Sequence, residues 1–280
     1  MSRRAISLAL VSLAALVGAP AAVADSTQSS NWAGYAVHRS GVNFTKVTGT
    51  WIQPQPTCTG GQPTYSAVWV GIGGYAITSQ ALEQIGTEAD CAAARRVVSS
   101  AWYELVPAPS RASKLTIKPG DRVRGTVAVD GNEVTMTLDD LTRRRSFTKR
   151  VHAANVDASS AEWILEAPSV CTSAVNCRTL ALADFGSAGF SSASAVTTTG
   201  HRGSITDRAW TATKISLAAT GRQFVSHAGA SIATAMPSSP SAHGSAFTVT
   251  YRGLGTPTAP MPGTLVAGDR LTRPGLSPTS

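Results

Sequence analysis

Short stretches of alternating hydrophobic and polar residues recur along the chain, and clusters of turn-forming residues separate them. Alternation with period two, in stretches rich in Val, Ile, Thr and aromatic residues, is typical of β-strands that bury one face. The pattern predicts strands at residues 45–52, 66–72, 97–106, 122–129, 133–138, 161–166, 193–198 and 247–252. Helical periodicity is weak throughout, and residues 90–98 are the best candidate for a short helix. So many short strands predict an all-β fold, an antiparallel β-sandwich.

Turn signals and composition set the predicted boundaries. Asp130-Gly131, between two alternating stretches, is the usual signal of a hairpin, and Pro119-Gly120-Asp121 marks another turn. We find no internal repeat, and residues 25–252 are predicted to form a single domain. Residues 253–280 are dominated by Pro, Gly, Ser and Thr, which predicts a disordered tail.

The overall composition excludes some classes of protein. Of the 280 residues, 42% are hydrophobic and 14% are charged, so the chain is not disordered throughout. The low charged fraction also disfavours a long coiled coil or a helical bundle.

The first 24 residues are predicted to be a secretory signal peptide. Arg3 and Arg4 precede an apolar run at residues 6–17, and Ala22-Val23-Ala24 offers a cleavage site before Asp25. The apolar run is shorter than the ~20 residues that a membrane-spanning helix needs. We therefore expect a secreted, extracellular protein that is not bound to a membrane after cleavage.

Secretion makes the four cysteines candidates for disulfide bonds. Cys58, Cys91, Cys171 and Cys177 allow three pairings. Cys171 and Cys177 bracket a short segment with the character of a hairpin loop, so we expect them to pair with each other, which leaves Cys58 for Cys91. A zinc site is disfavoured, because the sequence has no Cys-x-x-Cys and no histidine at ligand spacing nearby.

The formal net charge of +8 raises the question of a nucleic-acid partner. The basic residues cluster modestly in Arg143-Arg144-Arg145 and Lys149-Arg150, within an alternating stretch typical of a hairpin turn and its solvent face. No aromatic residues interleave with them as a base-stacking groove requires. We therefore expect no nucleic-acid binding.

Motifs of several common enzyme classes are absent from the sequence. It contains no Gly-x-Ser-x-Gly elbow, no His-Glu-x-x-His and no phosphate loop. The glycines of Gly71-Ile72-Gly73-Gly74 lack the crossover helix of a nucleotide site. A triad could combine His227 with Asp207, but no local context supports it. We expect neither a metal nor a cofactor.

Acidic and amide side chains fall among apolar residues in three of the β-rich stretches. Strand alternation places Glu162 and Glu166 on the face of Ile164, Glu104 on the face of Trp102 and Val106, and Gln84 on the face of Leu82 and Gly86. The other face of residues 161–166 carries Trp163 and Leu165. An ordinary wet surface would explain any one of these placements, but three together indicate a concave functional face.

Five motifs then occur in order: SNWAG at residues 30–34, WVGIGG at 69–74, QIGT at 84–87, AWYE at 101–104 and AEWILE at 161–166. This series resembles the glutamic peptidases of the eqolisin type, pepstatin-insensitive acid peptidases known mainly from fungi. The resemblance covers about residues 29–200. It implies a lectin-like sandwich of two large antiparallel sheets whose concave cleft binds peptide, and a monomeric endopeptidase that acts on polypeptides.

The same resemblance implies roles for individual residues. Gln84 and Glu166 match the family's catalytic pair, whereas Glu162 matches an earlier, non-catalytic glutamate. The substrate-binding positions are Trp69, Glu104 and Trp32. Glu88 and Asp90 are candidates for an acid that follows the family's glutamine.

Two positions depart from the family pattern. Gly73 stands where fungal members carry an aspartate, and Val106 stands where they carry a tyrosine that covers the substrate. These departures leave the pH optimum and the side-chain preference open.

The chemistry of the pair suits acidic conditions. A glutamate near its ordinary pKa of ~4.3 is still a base at mildly acidic pH, where histidine is protonated. A glutamine amide can donate to an oxyanion and does not titrate. The alternative function is a glycoside hydrolase or a carbohydrate-binding module. Glu162 and Glu166 lie about 13 Å apart along a strand, too far for a glycosidase pair, but Glu104 with Glu166 stays possible.

Overall fold

The computed structural model describes residues 25–173, 176–219, 221, 233–241 and 243–254. In these residues, nine strands occupy the first half of the chain: β1 (Asp25–Ser29), β2 (Trp32–His38), β3 (Phe44–Ile52), β4 (Ala67–Gly73), β5 (Leu82–Ala92), β6 (Arg96–Val106), β7 (Arg111–Ala112), β8 (Arg122–Asp130) and β9 (Glu133–Asp140). Nine more follow: β10 (Arg145–His152), β11 (Ser160–Glu166), β12 (Ser169–Ser173), β13 (Asn176–Thr179), β14 (Ser187–Thr197), β15 (Arg202–Gly203), β16 (Thr211–Leu217), β17 (Ala233–Pro237) and β18 (Phe247–Leu254).

Hydrogen bonds join most of these strands into one continuous path. Its order is β10-β9-β8-β3-β14-β18-β17-β16-β2-β11-β4-β5-β6-β7, with β15 added to β14 and β1 added in parallel to β16. All neighbours along the path are antiparallel, and β12 with β13 forms a separate hairpin. The all-β, antiparallel prediction is therefore confirmed.

The path folds over so that its two halves pack face to face. The indole Nε1 of Trp51 on β3 donates to Thr87 Oγ1 on β5 at 3.0 Å, and that of Trp163 on β11 donates to the backbone oxygen of Thr48 at 2.8 Å. Gly49 leaves the room that Trp163 needs, because a Cβ there would lie 2.6 Å from the indole. These contacts hold the two layers of the predicted sandwich together. The strand path passes from one layer to the other where β16 pairs with β17.

Each predicted strand overlaps an observed strand. The helix predicted at residues 90–98 is wrong. That segment forms the ends of β5 and β6 and the turn between them, with one 3₁₀ turn at Ala93–Arg95. Pairing of β5 with β6 over eleven positions satisfies the backbone groups that a helix would use internally. Tertiary pairing thus overrides the helix propensity of an Ala- and Arg-rich stretch.

Turns and cysteines agree with the sequence where the structure describes them. Asp130 pairs with Glu133 at the end of the predicted β8–β9 hairpin, and Asp121 N donates to Lys118 O in the second turn. Cys58 is bonded to Cys91, as expected. The β12–β13 register sets Cys171 opposite Cys177, but their side chains lie outside the described part, so that bond stays a prediction.

The two free edges of the path are β10 and the two-residue β7. The basic residues singled out in the sequence lie in the β9–β10 turn and along β10, where Arg144, Arg145 and Arg150 are exposed. Arg143 pairs with the buried Asp121 at 2.9 Å. This arrangement agrees with a solvated face.

The proposed terminal segments lie mostly outside the described residues. The predicted signal peptide at residues 1–24 is not described, and β18 includes the first two residues, 253 and 254, of the predicted tail. Among the described residues, no helix has the length and apolar character needed to cross a membrane.

Candidate active site

The two faces of β11 separate as strand alternation predicts. Trp163 and Leu165 belong to the core between the two layers. Ile164, on the opposite face, belongs to a second apolar cluster, which we call the tryptophan patch. The patch consists of Trp32, Ala36, Ala67, Trp69, Leu82, Trp102, Ile164 and Ile215. Its two central indoles, Trp32 and Trp69, meet edge to face with ring centroids 5.0 Å apart.

Glu166 lies beside this patch and accepts two hydrogen bonds from buried donors. Asn31 Nδ2 donates to its Oε1 at 3.0 Å, and Trp69 Nε1 donates to its Oε2 at 2.8 Å. The side chain of Ser29 accepts from the backbone N–H groups of Asn31 and Trp32, which fixes the segment before β2. N–H donors on both oxygens stabilise the charged form of a carboxylate.

Gln84 lies on β5, on the same side of the sheet. Its Nε2 donates to Glu104 Oε2 on β6 at 2.5 Å, whereas its buried Oε1 has no hydrogen-bond partner among the described residues. Burial raises the pKa of Glu104 to about 7, although hydrogen bonds from Gln84 and from the backbone of Ser110 oppose the shift. Glu104 is therefore largely protonated in acid.

The register shows how Gln84 and Glu166 are related. Gln84 pairs with Gly71 of β4, and Glu166 pairs with Ala67 of the same strand, so both side chains face the same way. Their strands are two steps apart and their register positions differ by four residues, which places their Cα atoms about 16 Å apart. The two side chains do not bond to each other directly. The indole of Trp69 spans the gap, because its Nε1 meets Glu166 and its Cζ3 lies 3.0 Å from where a Cβ of Gly71 would be.

The other glutamate of β11 has a different environment. Glu162 is fully buried, and neither of its carboxylate oxygens has a hydrogen-bond partner among the described residues. Burial raises the pKa of Glu162 well above its usual range; the nearby Ser160 hydroxyl opposes the shift, and the charges of Asp157 and Glu83 add to it. The neutral form of Glu162 is therefore favoured.

Glu83 is a second buried carboxyl group without a hydrogen-bond partner among the described residues. Burial and the negative charge of Asp157 raise the pKa of Glu83 to about 8. Burial alone would also raise the pKa of Asp157, but hydrogen bonds from Ser159, Ser79 and the backbone of Gly74 outweigh it and lower the pKa. One carboxylate and two neutral carboxyl groups therefore adjoin this end of the sheet.

The two candidate acids after the glutamine lie on the same face of β5. Glu88 accepts from Ser100 Oγ at 2.6 Å and shares a row with Glu166 across Ala67. Asp90 accepts from the backbone of Ser66, and burial followed by the charge of Glu88 raises the pKa of Asp90 to about 7.

Gly73 has no room for a side chain in this structure. It adopts a φ of +89°, and a Cβ there would lie 2.4 Å from the backbone oxygen of Asp157. A side chain is excluded at this position, and Asp157 takes up the space. No sequence pattern marks Asp157, whereas Asn31 stands inside the SNWAG motif, which could have pointed to it.

The possible His227–Asp207 pair lies partly outside the described residues. Asp207 contacts His201 at 3.1 Å at an exposed position, and His227 lies outside the described residues. Within the part of the chain that the structure describes, no group of three His, Cys, Asp or Glu side chains is arranged to hold a metal ion.

Comparison with solved structures supports the same fold. Scytalidoglutamic peptidase with a transition-state analogue inhibitor is 23% identical, with a TM-score of 0.63 over 80% of this chain and 98% of that one. SCP-B, an eqolisin in complex with the tripeptide Ala-Ile-His, is 22% identical, with a TM-score of 0.58 over 80% and 98%. Aspergilloglutamic peptidase from Aspergillus niger is 26% identical, with a TM-score of 0.53 over 68% and 99%.

Sequence comparison identifies the family. No protein with curated annotation matches the chain. A family model, the Peptidase A4 family, matches residues 30–234, a span that contains all five motifs. The chain therefore belongs to the Peptidase A4 family and is a glutamic-type peptidase.

Proposed function

We propose that this peptidase cleaves polypeptides in acidic medium outside the cell, with Glu166 as its general base and acid and Gln84 as its oxyanion donor. Trp32, Trp69 and Glu104 then form the substrate-binding wall around them. The enzyme acts as a monomer and needs no cofactor.

The reaction follows from what each group can donate or accept. Glu166 takes a proton from a water molecule, whose oxygen attacks the carbonyl carbon of the scissile peptide bond. The carbonyl oxygen becomes an oxyanion and accepts a hydrogen bond from the amide of Gln84. Glu166 then returns the proton to the leaving nitrogen, and the C–N bond breaks. No charge on Gln84 is created or lost, so that donor works equally in strong acid.

The observation that carries this proposal is the pair of N–H donors on Glu166. A general base for acidic conditions must hold its negative charge at low pH. Asn31 and Trp69 supply that stabilisation to Glu166, whereas Glu162 receives none among the described residues. Of the two glutamates on this face of β11, Glu166 is the better base.

The geometry gives no support to glycoside hydrolysis. Glu104 lies three strands and four register positions from Glu166, about 20 Å between their Cα atoms, and its carboxyl group is hydrogen-bonded to Gln84. A glycosidase pair needs carboxyl groups ~5–9.5 Å apart.

The test compares Glu166→Gln and Gln84→Ala with Glu162→Gln in hydrolysis of a denatured protein at pH 3–5, with pepstatin present. We expect at least a ~10³-fold loss of kcat for Glu166→Gln and a ~10²–10³-fold loss for Gln84→Ala. Glu162→Gln is the matched control, because it replaces a neutral carboxyl group by a neutral amide on the same strand and face. Near wild-type turnover by a folded Glu166→Gln or Gln84→Ala variant would contradict the assignment.

The Cys58–Cys91 disulfide supports secretion, because such bonds persist in oxidising compartments. We expect N-terminal sequencing of the protein from culture medium to begin at Asp25. A start far beyond residue 30 would show that a longer segment is removed.

A further inference from the structure

The carboxamide of Gln84 is hydrogen-bonded at one end only. Its nitrogen donates to Glu104, but its oxygen is buried with no partner among the described residues. A buried acceptor without a donor is unfavourable by ~1–3 kcal/mol. Because the two ends of an amide are nearly equal in size, half a turn about the last side-chain bond exchanges them.

Few charged groups surround the Glu104 carboxyl group. On β5 it meets the neutral Gln84, and on the side of β7 the backbone of Ser110 donates to it. Arg111 of β7 pairs with Tyr103 and is exposed. In the direction of β4 and β11, the bare Gly71 separates its row from Glu162.

The remaining titratable groups nearby lie on other faces or rows. Glu83, beside Gln84 in the chain, faces the opposite side of the sheet, and the Asp157 side chain accepts from Ser79 and from the backbone of Gly74 at the end of β4. Glu88 lies on the same face but four residues along β5. A change in the protonation of Glu104 therefore acts most directly on its hydrogen-bond partner, Gln84.

We propose that Glu104 is a positioning residue, whose protonation state decides which end of the Gln84 amide faces the reacting groups. This inference rests on the proposed role of Gln84 as oxyanion donor. It explains how the hydrogen bonding of a glutamine, a side chain that does not itself titrate, can depend on pH.

The two arrangements differ by one proton on Glu104 and by the orientation of the Gln84 amide. The structure shows Nε2 donating to Glu104 and Oε1 of Gln84 buried without a partner among the described residues. We assign this arrangement to ionised Glu104, in which Oε1 is the end left for the reacting groups. An acceptor in that position repels an oxyanion. When Glu104 is protonated, its O–H donates to Oε1, the amide turns, and both N–H groups of Nε2 are available to the oxyanion. The buried acceptor is then satisfied as well.

The direction of the Glu104 pKa agrees with this scheme. Burial raises it to about 7, so the protonated, productive arrangement dominates in acid and is lost as the pH rises through neutrality. The ascending limb of the activity profile then reports the ionisation of Glu166, and the descending limb reports Glu104. Loss of an oxyanion donor lowers kcat by about 10²–10³-fold.

The test is the pH profile of kcat for Glu104→Gln and Glu104→Leu. An amide at residue 104 can donate to Oε1 at every pH, so we expect the descending limb of Glu104→Gln to move up by at least one pH unit. Glu104→Leu provides neither donor nor acceptor, so we expect a lower plateau with no limb near neutrality. The matched control is Glu162→Gln, at the position that lies in the same row as Gln84 on the far side of Gly71. For this variant we expect the descending limb of the kcat profile at the wild-type pH.

A spectroscopic measurement checks the rotation itself. The side-chain ¹⁵N amide signals of Gln84, assigned by their absence in Gln84→Ala, should shift with pH at the same midpoint as kcat, and this transition should vanish in Glu104→Gln. Circular dichroism over the same pH range shows whether the descending limb of the kcat profile reflects unfolding of the protein.

The outcomes distinguish this inference from the function beneath it. A wild-type descending limb in folded Glu104→Gln overturns the role of Glu104, while inactive Gln84→Ala and Glu166→Gln leave the proposed function standing. Active Gln84→Ala would overturn both.

Discussion

The two glutamates of β11 lie four residues apart on one face, but their surroundings differ sharply. At one end, Glu166 meets N–H groups from Asn31 and Trp69. At the other end, Glu162 is enclosed with Glu83 and Asp157 nearby and receives no donor among the described residues. Identical side chains thus meet N–H donors in one case and burial without a close donor in the other, because neighbouring strands supply donors to one of them only. The comparison shows that the difference lies in the neighbours rather than in β11 itself.

The largest effect that this comparison predicts is a loss of stability with rising pH. Between pH ~4.5 and ~8 the native chain holds a proton on Glu83 that the unfolded chain has released, so raising the pH favours unfolding. Glu162 acts in the same direction. The contribution is complete below pH ~4.5 and lost toward pH ~8. We expect the Tm to fall by about 10 °C across this interval.

Calorimetry of Glu162→Gln and Glu166→Gln tests whether the two ends really differ. Glu162→Gln should reduce the decline, because a neutral amide replaces a group that must otherwise ionise or stay protonated. Glu166→Gln should not reduce it. Glu133→Gln, at an exposed position on β9, is the control. If Glu162→Gln and Glu166→Gln reduced the fall in Tm equally, the two glutamates would not differ in their effect on stability.

A smaller effect is expected from removing one donor at the Glu166 end. Asn31→Ala deletes the N–H group on Oε1, so the charged form of Glu166 becomes less stable. A hydrogen bond to a charged group contributes ~1.5–3 kcal/mol, which corresponds to a shift of the ascending limb of kcat/KM by about one to two pH units.

Asn132→Ala, in the exposed β8–β9 turn, is the matched control for this experiment. Thermal unfolding at pH 4 verifies that the variant is folded. An unchanged limb with lower activity would mean that Asn31 does not stabilise the charge on Glu166.

The smallest effect is expected on the opposite face of β11, where Trp163 packs between the layers. Gly49→Ala would place a Cβ 2.6 Å from that indole and 3.0 Å from Val70, which costs about 1–3 kcal/mol of unfolding free energy through overpacking. Denaturant unfolding measures this cost, and the pH profile should stay the same.

Gly189→Ala is the matched strand glycine, since its Cβ would meet only Thr248 Oγ1 at an ordinary 3.7 Å. We expect it to be nearly neutral. A changed pH profile in Gly49→Ala would show that the two faces are not independent.

The sequence predicts the faces of this sheet well because strand alternation has a period of exactly two positions. The pattern correctly assigns Trp163 to one side and Glu166 to the other, and it marks the β8–β9 hairpin by its Asp-Gly pair. It fails at residues 90–98, where local propensity favours a helix but the pairing of β5 with β6 prevails.

The sequence could not show which neighbours each polar group meets. Asn31 and Glu166 are 135 residues apart, and their hydrogen bond depends on the pairing of β2 with β11. The roles of Gln84 and Glu166 came from motif resemblance and stay proposals. The raised pKa of Glu83 and the exclusion of a side chain at Gly73 both depend on the position of Asp157 next to the end of β4, which no local pattern reveals.

The basic edge strand β10 has a consequence for the protein at high concentration. An unpaired strand edge can recruit the same edge of another molecule, and like charges along it oppose that contact. Arg145 and Arg150 lie exposed on β10. In acid, protonation of carboxylates makes the whole chain still more positive, so copies repel one another most strongly under the conditions in which the enzyme is expected to work. The edge thereby protects against aggregation.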